Sequence, residues 1–254
     1  MTTIAFQVTS NFANDYGDGV KGTDNEDRIG PKRALQSGIL TKDELKRGIL
    51  LASLISLCLV VIVVFLAFGP ENIGLLLTFL FLGVASIWAA IKYTVGNSAY
   101  GYKGLGDLFV FMFFGLLAVL GSMFLYVKYI APSAILPAVA IGTLSTGVLN
   151  LNNLRDFTSD RKAQKNTMIV KMGFANGKRY HYALMGISFI SMVLFVVINS
   201  SQVYQYIPLL AFIPIFIHLK KVYRTDVPEI LDPELKKLAL STFLLAVLIF
   251  ISYN

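Results

Sequence analysis

The chain has 254 residues, of which 56% are hydrophobic and only 15% are charged, and it carries a net charge of +7. Soluble domains contain about 45–50% apolar and about 25% charged residues, so this composition excludes a typical water-soluble domain. The single cysteine, Cys58, excludes an intrachain disulfide. Together these values predict a membrane protein.

Apolar runs recur along the chain at lengths near the roughly 20 residues that a helix needs to cross a bilayer. None alternates strictly between apolar and polar residues as a membrane β-strand does, so helices are expected. Residues 1–12 are half apolar and predict only the second half of a helix, so we expect an upstream helix or more. The predicted fold is all-α, a polytopic transmembrane bundle with seven full spans and a partial N-terminal one. The seven runs are 49–68, 73–91, 108–129, 135–149, 183–198, 203–219 and 238–251.

The first polar segment, NFANDYGDGVKGTDNEDR, follows the partial helix. Four of its residues are spaced at i, i+3, i+4 and i+7, which is one helical face. They are Asn11, Asn14, Asp15 and Asp18. Glycines are then predicted to break the helix, and three more acidic residues fall in the following loop. The glycines are Gly17, Gly19 and Gly22, and the loop residues are Asp24, Glu26 and Asp27.

A second polar segment, LNNLRDFTSDRKAQKNT, follows the fourth apolar run. Asn153, Asp156 and Asp160 are spaced at i, i+3 and i+7, which again predicts one helical face. Further along, His181 and His218 lie near the ends of predicted spans and are interpreted as interface anchors. The segment PEILDPELKK, residues 228–237, is interpreted as a solvated loop with a helix start.

Basic residues are distributed unevenly among the connections. Of 22 Lys and Arg residues, 21 lie in four connections, at 11–48, 92–106, 153–179 and 219–237, and Lys128 lies elsewhere. This alternation predicts that the four loops are cytoplasmic. All acidic residues except Glu71 lie in or beside the same loops. Membrane topology and anionic lipid account for the positive charge, so no nucleic-acid partner is predicted.

The two acidic segments predict a cation site, because carboxylates stacked on a helix repel each other. Hard oxygen ligands favour Mg²⁺ bridging carboxylates to phosphate, whereas one cysteine and two histidines do not form a zinc ligand set. Neighbouring basic residues suit a phosphorylated ligand. They are Arg28, Lys32, Arg33, Arg155, Arg161, Lys162 and Lys165. The alternative is that both segments are solvated helix ends, where Asp and Asn are common caps.

Two motifs, NDYGD (14–18) with a trailing Asp24 and DFTSD (156–160), resemble the aspartate motifs of the UbiA-type intramembrane prenyltransferases. Three longer blocks are similar to the 1,4-dihydroxy-2-naphthoate prenyltransferases of menaquinone synthesis. They are NDYGDGVKGTD…RIGPKRALQSG, AYGYKGLGDLFVFMFFG and LNNLRDFTSDRKAQKNT. The resemblance implies one transmembrane domain over residues 1–254, in a fold of nine helices around a central cavity that here lacks the N-terminal helix or more.

The resemblance also implies a reaction: Mg²⁺-dependent transfer of a polyprenyl group from polyprenyl diphosphate to 1,4-dihydroxy-2-naphthoate, with loss of CO₂. The site is expected at the cytoplasmic side of the inner membrane, within the lipid bilayer. The aspartates implied to hold metal are Asp15, Asp18, Asp24, Asp156 and Asp160, all but Asp24 being assigned as catalytic. The residues implied to contact substrate are Asn11, Asn14, Arg28, Arg33, Tyr93, Lys103, Asn153, Arg155, Arg161 and Lys165.

Other interpretations stay open at this point. Tyr93 and Lys103 belong to the loop IKYTVGNSAYGYKGLGD, which is expected to close over the site, although tyrosines are also common at membrane interfaces. The acceptor could instead be hydroxybenzoate, a glyceryl phosphate or a chlorin. A cation transporter is a third alternative. Transporter carboxylates usually lie near the bilayer midplane, and no carboxylate falls inside an apolar run here, which argues against transport.

Overall fold

The computed structural model describes residues 1–26 and 28–253, and every regular element within them is a helix. Asp27, predicted in a loop, lies outside the described residues. Helices α1 to α4 span Thr2–Val20, Lys42–Phe68, Ile73–Lys92 and Gly106–Val127, and a 3₁₀ turn covers Tyr100–Lys103. Helices α5 to α7 span Pro132–Arg155, Phe157–Lys162 and Met168–Met172. Helices α8 to α10 span Phe174–Asn199, Val203–Arg224 and Pro228–Tyr253.

Seven of these helices are long and apolar enough to cross a membrane, namely α2, α3, α4, α5, α8, α9 and α10. They coincide with the seven apolar runs, so the prediction of an all-α, multi-pass membrane protein is confirmed. Polar caps lengthen some helices beyond their apolar run. At the start of α2, Thr41 Oγ1 accepts the amide of Glu44 at 3.2 Å, and Glu44 Oε2 accepts the amide of Thr41 at 2.8 Å.

The chain divides into two compact units. Unit 1 comprises Met1–Leu105 and Ser159–Asn166, and unit 2 comprises Gly106–Thr158 and Thr167–Asn254. Both aspartate segments contribute to unit 1, because its second part contains Asp160. Asp156, by contrast, belongs to unit 2.

Within unit 1, α1 packs closely against its neighbours through glycines. A Cβ at Gly17 would lie 2.5 Å from Thr94 Oγ1, and one at Gly19 would lie 2.5 Å from Leu35 Cδ2. The prediction that these two glycines break the helix is therefore wrong. Both lie inside α1, which ends at Val20, and Gly22 follows with a φ of +72°. The missing side chains serve packing rather than chain reversal.

Within unit 2, α5 is the central helix. Leu144, Leu151 and Leu154 are fully buried in one core with Met185 of α8 and Leu238 of α10. Helix α4 is π-helical over Phe111–Gly121 and crosses α5 with its backbone in contact, since a Cβ on Gly115 would lie 2.5 Å from Gly142 Cα. This crossing depends on two glycines facing each other.

The sequence predicted one continuous helical face for the second acidic segment, and this prediction is wrong. Helix α5 ends at Arg155, and Asp156 is its C-cap with φ −90° and ψ 11° before α6 begins at Phe157. A carboxylate at a helix C-terminus is disfavoured by the helix dipole. Here the Arg155 guanidinium offsets that cost by binding the Asp156 carboxylate directly.

Two further interpretations are corrected by unit 2. His181 and His218 are not interface anchors, because both are buried and their Nε2 atoms are 2.9 Å apart. In the segment 228–237, the predicted helix start is confirmed, because α10 begins there, but the solvated loop is not, because Glu234 is fully buried. These polar groups are buried because partners on other helices satisfy them, which local sequence cannot reveal.

Candidate functional site

A buried lysine joins two aspartates in unit 1. The Nζ atom of Lys165 lies 3.3 Å from Asp18 Oδ2 and 4.0 Å from Asp160 Oδ1. Burial alone lowers the pKa of Lys165, but the Asp18 and Asp160 carboxylates raise that pKa above its ordinary value, so the lysine is charged at neutral pH. All three side chains are at most one-tenth exposed. We call these three residues the aspartate–lysine cluster.

A tight turn after α6 directs Lys165 into this cluster. Gln164 has a positive φ of 56°, and the Lys165 amide donates to the Asp160 carbonyl at 2.8 Å. The chain therefore reverses immediately after Lys162, the last residue of α6. The reversal brings the side chain of Lys165 back beside Asp160, the acidic residue of the same helix.

Tyr102 also belongs to this site, although it is not among the residues that the sequence predicted to contact substrate. Its hydroxyl donates to Asp18 Oδ1 at 2.7 Å and lies 2.6 Å from Thr23 Oγ1. Burial, together with the nearby Asp18, raises the pKa of Tyr102, which keeps its proton on the hydroxyl. Lys21 Nζ lies 3.8 Å from the centre of the Tyr102 ring and donates to the Thr94 carbonyl at 2.7 Å. Burial lowers the pKa of Lys21 although Asp18 opposes that shift.

The other residues on the predicted face of α1 have different contacts. Asp15 accepts the backbone amides of Ala34 at 3.0 Å and Leu35 at 3.2 Å, so it anchors the segment between α1 and α2. Asn14 accepts from Thr94 Oγ1 at 3.3 Å. Asn11 is exposed and accepts from a neighbouring glutamine of α1.

Asp24 forms a second charged group in unit 1. Its carboxylate lies 2.9 Å from Arg28 Nε and 3.1 Å from Arg33 Nε. Burial raises the pKa of Asp24; the Arg33 guanidinium opposes this, and Asp18 reinforces it. The Asp24 amide lies 3.5 Å from the Asp18 carbonyl, so the loop after α1 keeps this group near the end of that helix.

In unit 2, Arg155 holds Asp156 with two parallel bonds, from Nε to Oδ1 at 2.8 Å and from Nη2 to Oδ2 at 2.7 Å. Nη1 of the same guanidinium donates to Asp232 Oδ1 at 2.7 Å, and Asn152 Oδ1 accepts from Nη2 at 2.9 Å. Asn153 is buried nearby in α5. Arg155 is therefore engaged by acidic and amide oxygens of its own unit.

The remaining candidates lie at the surface or in the connecting loop. Arg161 and Lys103 are exposed. The centres of the Tyr93 and Tyr100 rings are 5.4 Å apart in an edge-on contact. The backbone carbonyl of Tyr93 accepts the Gly101 amide at 3.0 Å. Of the predicted site residues, unit 1 thus brings together Asp18, Asp160 and Lys165 as one group and Asp24, Arg28 and Arg33 as another.

The donor chemistry of the aspartate–lysine cluster fits Mg²⁺ shared with a phosphate. Across residues 1–26 and 28–253, no three His, Cys, Asp or Glu side chains are grouped to hold a metal ion alone. Mg²⁺ usually binds one or two carboxylates and completes its shell with water and substrate phosphate. Asp18 and Asp160 provide two such carboxylates. The Lys165 ammonium is the positive charge beside both of them.

Comparison with known proteins identifies the group to which this architecture belongs. The UbiA prenyltransferase family matches residues 1–233. The chain belongs to this family. It is 43% identical to the 1,4-dihydroxy-2-naphthoate octaprenyltransferase of Escherichia coli (strain K12), covering 99% of this chain and 82% of that protein. It is 42% identical to the protein of the same name from Haemophilus influenzae, covering 98% and 80%. No solved structure matches the chain.

As a UbiA family member, the chain carries both aspartate motifs, but their carboxylates have different environments. Asp18 and Asp160 share the Lys165 ammonium, whereas Asp15 binds two backbone amides and Asp156 binds an arginine. Metal binding by the five aspartates stays a prediction. Asp18 and Asp160 differ from the other aspartates in sharing one cationic side chain, that of Lys165.

Proposed function

We propose that this protein transfers a polyprenyl group from polyprenyl diphosphate to 1,4-dihydroxy-2-naphthoate, giving a demethylmenaquinone precursor. The bond between the allylic carbon and the diphosphate oxygen breaks, a bond to the naphthalene ring forms, and the ring carboxylate leaves as CO₂. Support comes from family membership and from relatives of that name at 43% and 42% identity over nearly the whole chain.

The observation that carries the proposal is the aspartate–lysine cluster with Tyr102 beside it. Lys165 and Lys21 place two ammonium groups around the Tyr102 ring, at 5.3 Å and 3.8 Å from its centre. Such groups can neutralise a departing diphosphate. Asp18 and Asp160 are the residues that would hold Mg²⁺, which when bound supplies further positive charge to the diphosphate oxygens.

The protein's own residues have three tasks in this reaction. Tyr102 orients the Asp18 carboxylate through its 2.7 Å hydrogen bond. Aromatic faces such as that of Tyr102 also favour positive charge, which suits an allylic carbocation. The apolar spanning helices provide surroundings that exclude water, which would otherwise capture the cation. Positive-inside charge supports a location in the inner membrane with the site at its cytoplasmic side.

The test uses purified protein in lipid nanodiscs with Mg²⁺, radiolabelled polyprenyl diphosphate, and either 1,4-dihydroxy-2-naphthoate or 4-hydroxybenzoate. We expect labelled product only when 1,4-dihydroxy-2-naphthoate is the acceptor, and no product after EDTA removes Mg²⁺. Asp18→Asn and Asp160→Asn should each lower turnover at least about a hundredfold, as loss of a main electrostatic group does.

Asp43→Asn is the matched control, because its side chain is 80% exposed at the start of α2 and the variant makes the same chemical change. It should keep wild-type turnover. Product with hydroxybenzoate alone would assign a different acceptor within the family. Full turnover by both Asp18→Asn and Asp160→Asn would contradict the proposed site.

A further inference from the structure

A chain of buried polar side chains crosses unit 2, away from the aspartate segments. His181 Nδ1 lies 3.0 Å from Asn150 Oδ1, and the Nε2 atoms of His181 and His218 are 2.9 Å apart. His218 Nδ1 then lies 2.8 Å from Glu234 Oε2. The two histidines and Glu234 are each at most 2% exposed. This chain joins α5, α8, α9 and α10, and the proposed reaction does not use it.

Two lysines at the surface contact Glu234, the last member of this hydrogen-bonded series. Lys221 Nζ lies 3.0 Å and Lys237 Nζ 2.7 Å from the same atom, Glu234 Oε1. Their side chains remain 42% and 56% exposed, whereas that of Glu234 is fully buried. One carboxylate facing two ammonium groups leaves excess positive charge, whether His218 is neutral or protonated. The lysines therefore present an anion-binding pair held in place by a buried carboxylate.

A groove of about 440 Å³ opens beside this pair between α9 and α10. On α10 its lining runs from Lys237 through Ser241 to Leu244, at i, i+4 and i+7, so these residues share one face. On α9 it runs from Lys221 back through Ile217, four residues earlier. Because both lysines converge on Glu234, the two apolar stretches extend in the same direction. The groove is thus cationic at one end and apolar along the rest.

We infer that this groove binds a membrane phospholipid, with its anionic headgroup at Lys221 and Lys237 and an acyl chain along Ile217, Leu240 and Leu244. Ile217 is 69% and Leu240 57% exposed, and both lie in membrane-spanning helices. Such residues face hydrocarbon in a bilayer, so the occupant must be amphipathic. Basic pockets between spanning helices are suited to anionic lipid headgroups. Binding offsets the excess positive charge and stabilises the packing of α9 against α10.

The test compares lipid retention by native mass spectrometry after transfer from nanodiscs of equal parts phosphatidylglycerol and phosphatidylcholine. We expect wild-type protein to retain phosphatidylglycerol selectively. Lys221→Met/Lys237→Met should weaken that binding about thirtyfold, ~2 kcal/mol, since each lysine near an anionic lipid contributes ~1 kcal/mol. Lys220→Met/Lys236→Met is the matched control, because it removes the same charge from exposed neighbours on the same helices and should change retention little.

A second variant keeps both lysines, in case the first unfolds, which circular dichroism and Tm will show. Leu240→Trp fills the apolar part of the groove and should lower phosphatidylglycerol retention while leaving the fold intact. Equal retention of phosphatidylcholine, or equal loss in the matched control, would overturn the inference. Displacement of the lipid by inorganic phosphate would assign the lysines to a soluble anion instead, and displacement by polyprenyl diphosphate would assign the groove to substrate.

Discussion

Carboxylates of the two aspartate motifs differ in how easily they can change partners. Asp15 binds the backbone amides of Ala34 and Leu35, and releasing it would leave two partly buried donors without an acceptor. Asp18 binds the side chain of Lys165 instead, so separating this pair breaks no backbone hydrogen bond. At the scale of single residues, the Lys165 ammonium therefore acts as the counter-ion of the Asp18 and Asp160 carboxylates.

Replacing Lys165 by methionine tests that role. The change leaves the Asp18 and Asp160 carboxylates buried without their shared cation, and breaking a buried pair in this way costs about 3–5 kcal/mol. We expect a lower Tm without divalent ions, measured by intrinsic fluorescence in detergent. Added Mg²⁺ should raise the Tm of Lys165→Met more than that of the wild type, because the Lys165 ammonium no longer competes for the carboxylates.

Lys42→Met serves as the control, since Lys42 is exposed at the start of α2 in the same unit. Its Tm and its response to Mg²⁺ should match those of the wild type. If Mg²⁺ shifts the Tm of wild type and Lys165→Met equally, Lys165 does not act as a counter-ion for the two aspartates.

Residue pairing was the part of the site least accessible to sequence. Counting along a helix correctly grouped polar residues on α1, but the partner of Asp18 is 147 residues away. Likewise, Tyr102 was recognised only as one of several loop tyrosines, although its hydroxyl binds Asp18. Contacts over such distances depend on tertiary packing, which no local periodicity encodes.

At the scale of helices, hydrophobic length predicted all seven spans, because crossing a bilayer imposes a minimum apolar run. Glycine was the misleading signal. Low helix propensity marks Gly17 as a helix breaker in the sequence, yet α1 continues through it to Val20, and the absent side chain lets Thr94 lie against the helix backbone. The same contact lets Thr94 Oγ1 donate to the Ala13 carbonyl at 2.9 Å.

Gly17→Ala tests this close approach. Its Cβ would lie 2.5 Å from Thr94 Oγ1 and 2.8 Å from the Thr94 carbonyl carbon, so a rotamer change cannot relieve the overlap. Overpacking of this kind costs about 1–3 kcal/mol. We expect a lower Tm and reduced prenyl transfer, because α1 must move away from the loop that carries Tyr102.

Gly186→Ala, in α8, makes the same change where nothing lies within 4 Å of the added Cβ. Alanine is the better helix former by up to about 1 kcal/mol, so this variant should be as stable as the wild type or more so. A Gly17→Ala variant as stable as the wild type would mean that the contact with Thr94 does not require a glycine at this position.

At the scale of the whole molecule, the strongest sequence signal is the distribution of basic residues among the connections. Twenty-one of 22 basic residues lie in four connections, and this asymmetry predicts which loops are cytoplasmic. That residues 1–254 form one domain also stays a prediction, since the chain divides by its contacts into two compact units.

Cysteine accessibility in intact spheroplasts tests the predicted orientation. In a Cys58→Ala background, single cysteines replace three exposed residues of unit 1, namely Lys42, Glu71 and Arg161. A membrane-impermeant maleimide should label the cysteine at 71 from outside, because this connection lacks basic residues. The cysteines at 42 and 161 should react only after lysis, because their loops carry the positive charge that is retained inside. Labelling of 42 and 161 from opposite sides would place Asp18, at the end of α1, and Asp160, in α6, on different sides of the membrane, and the aspartate–lysine cluster could not then form.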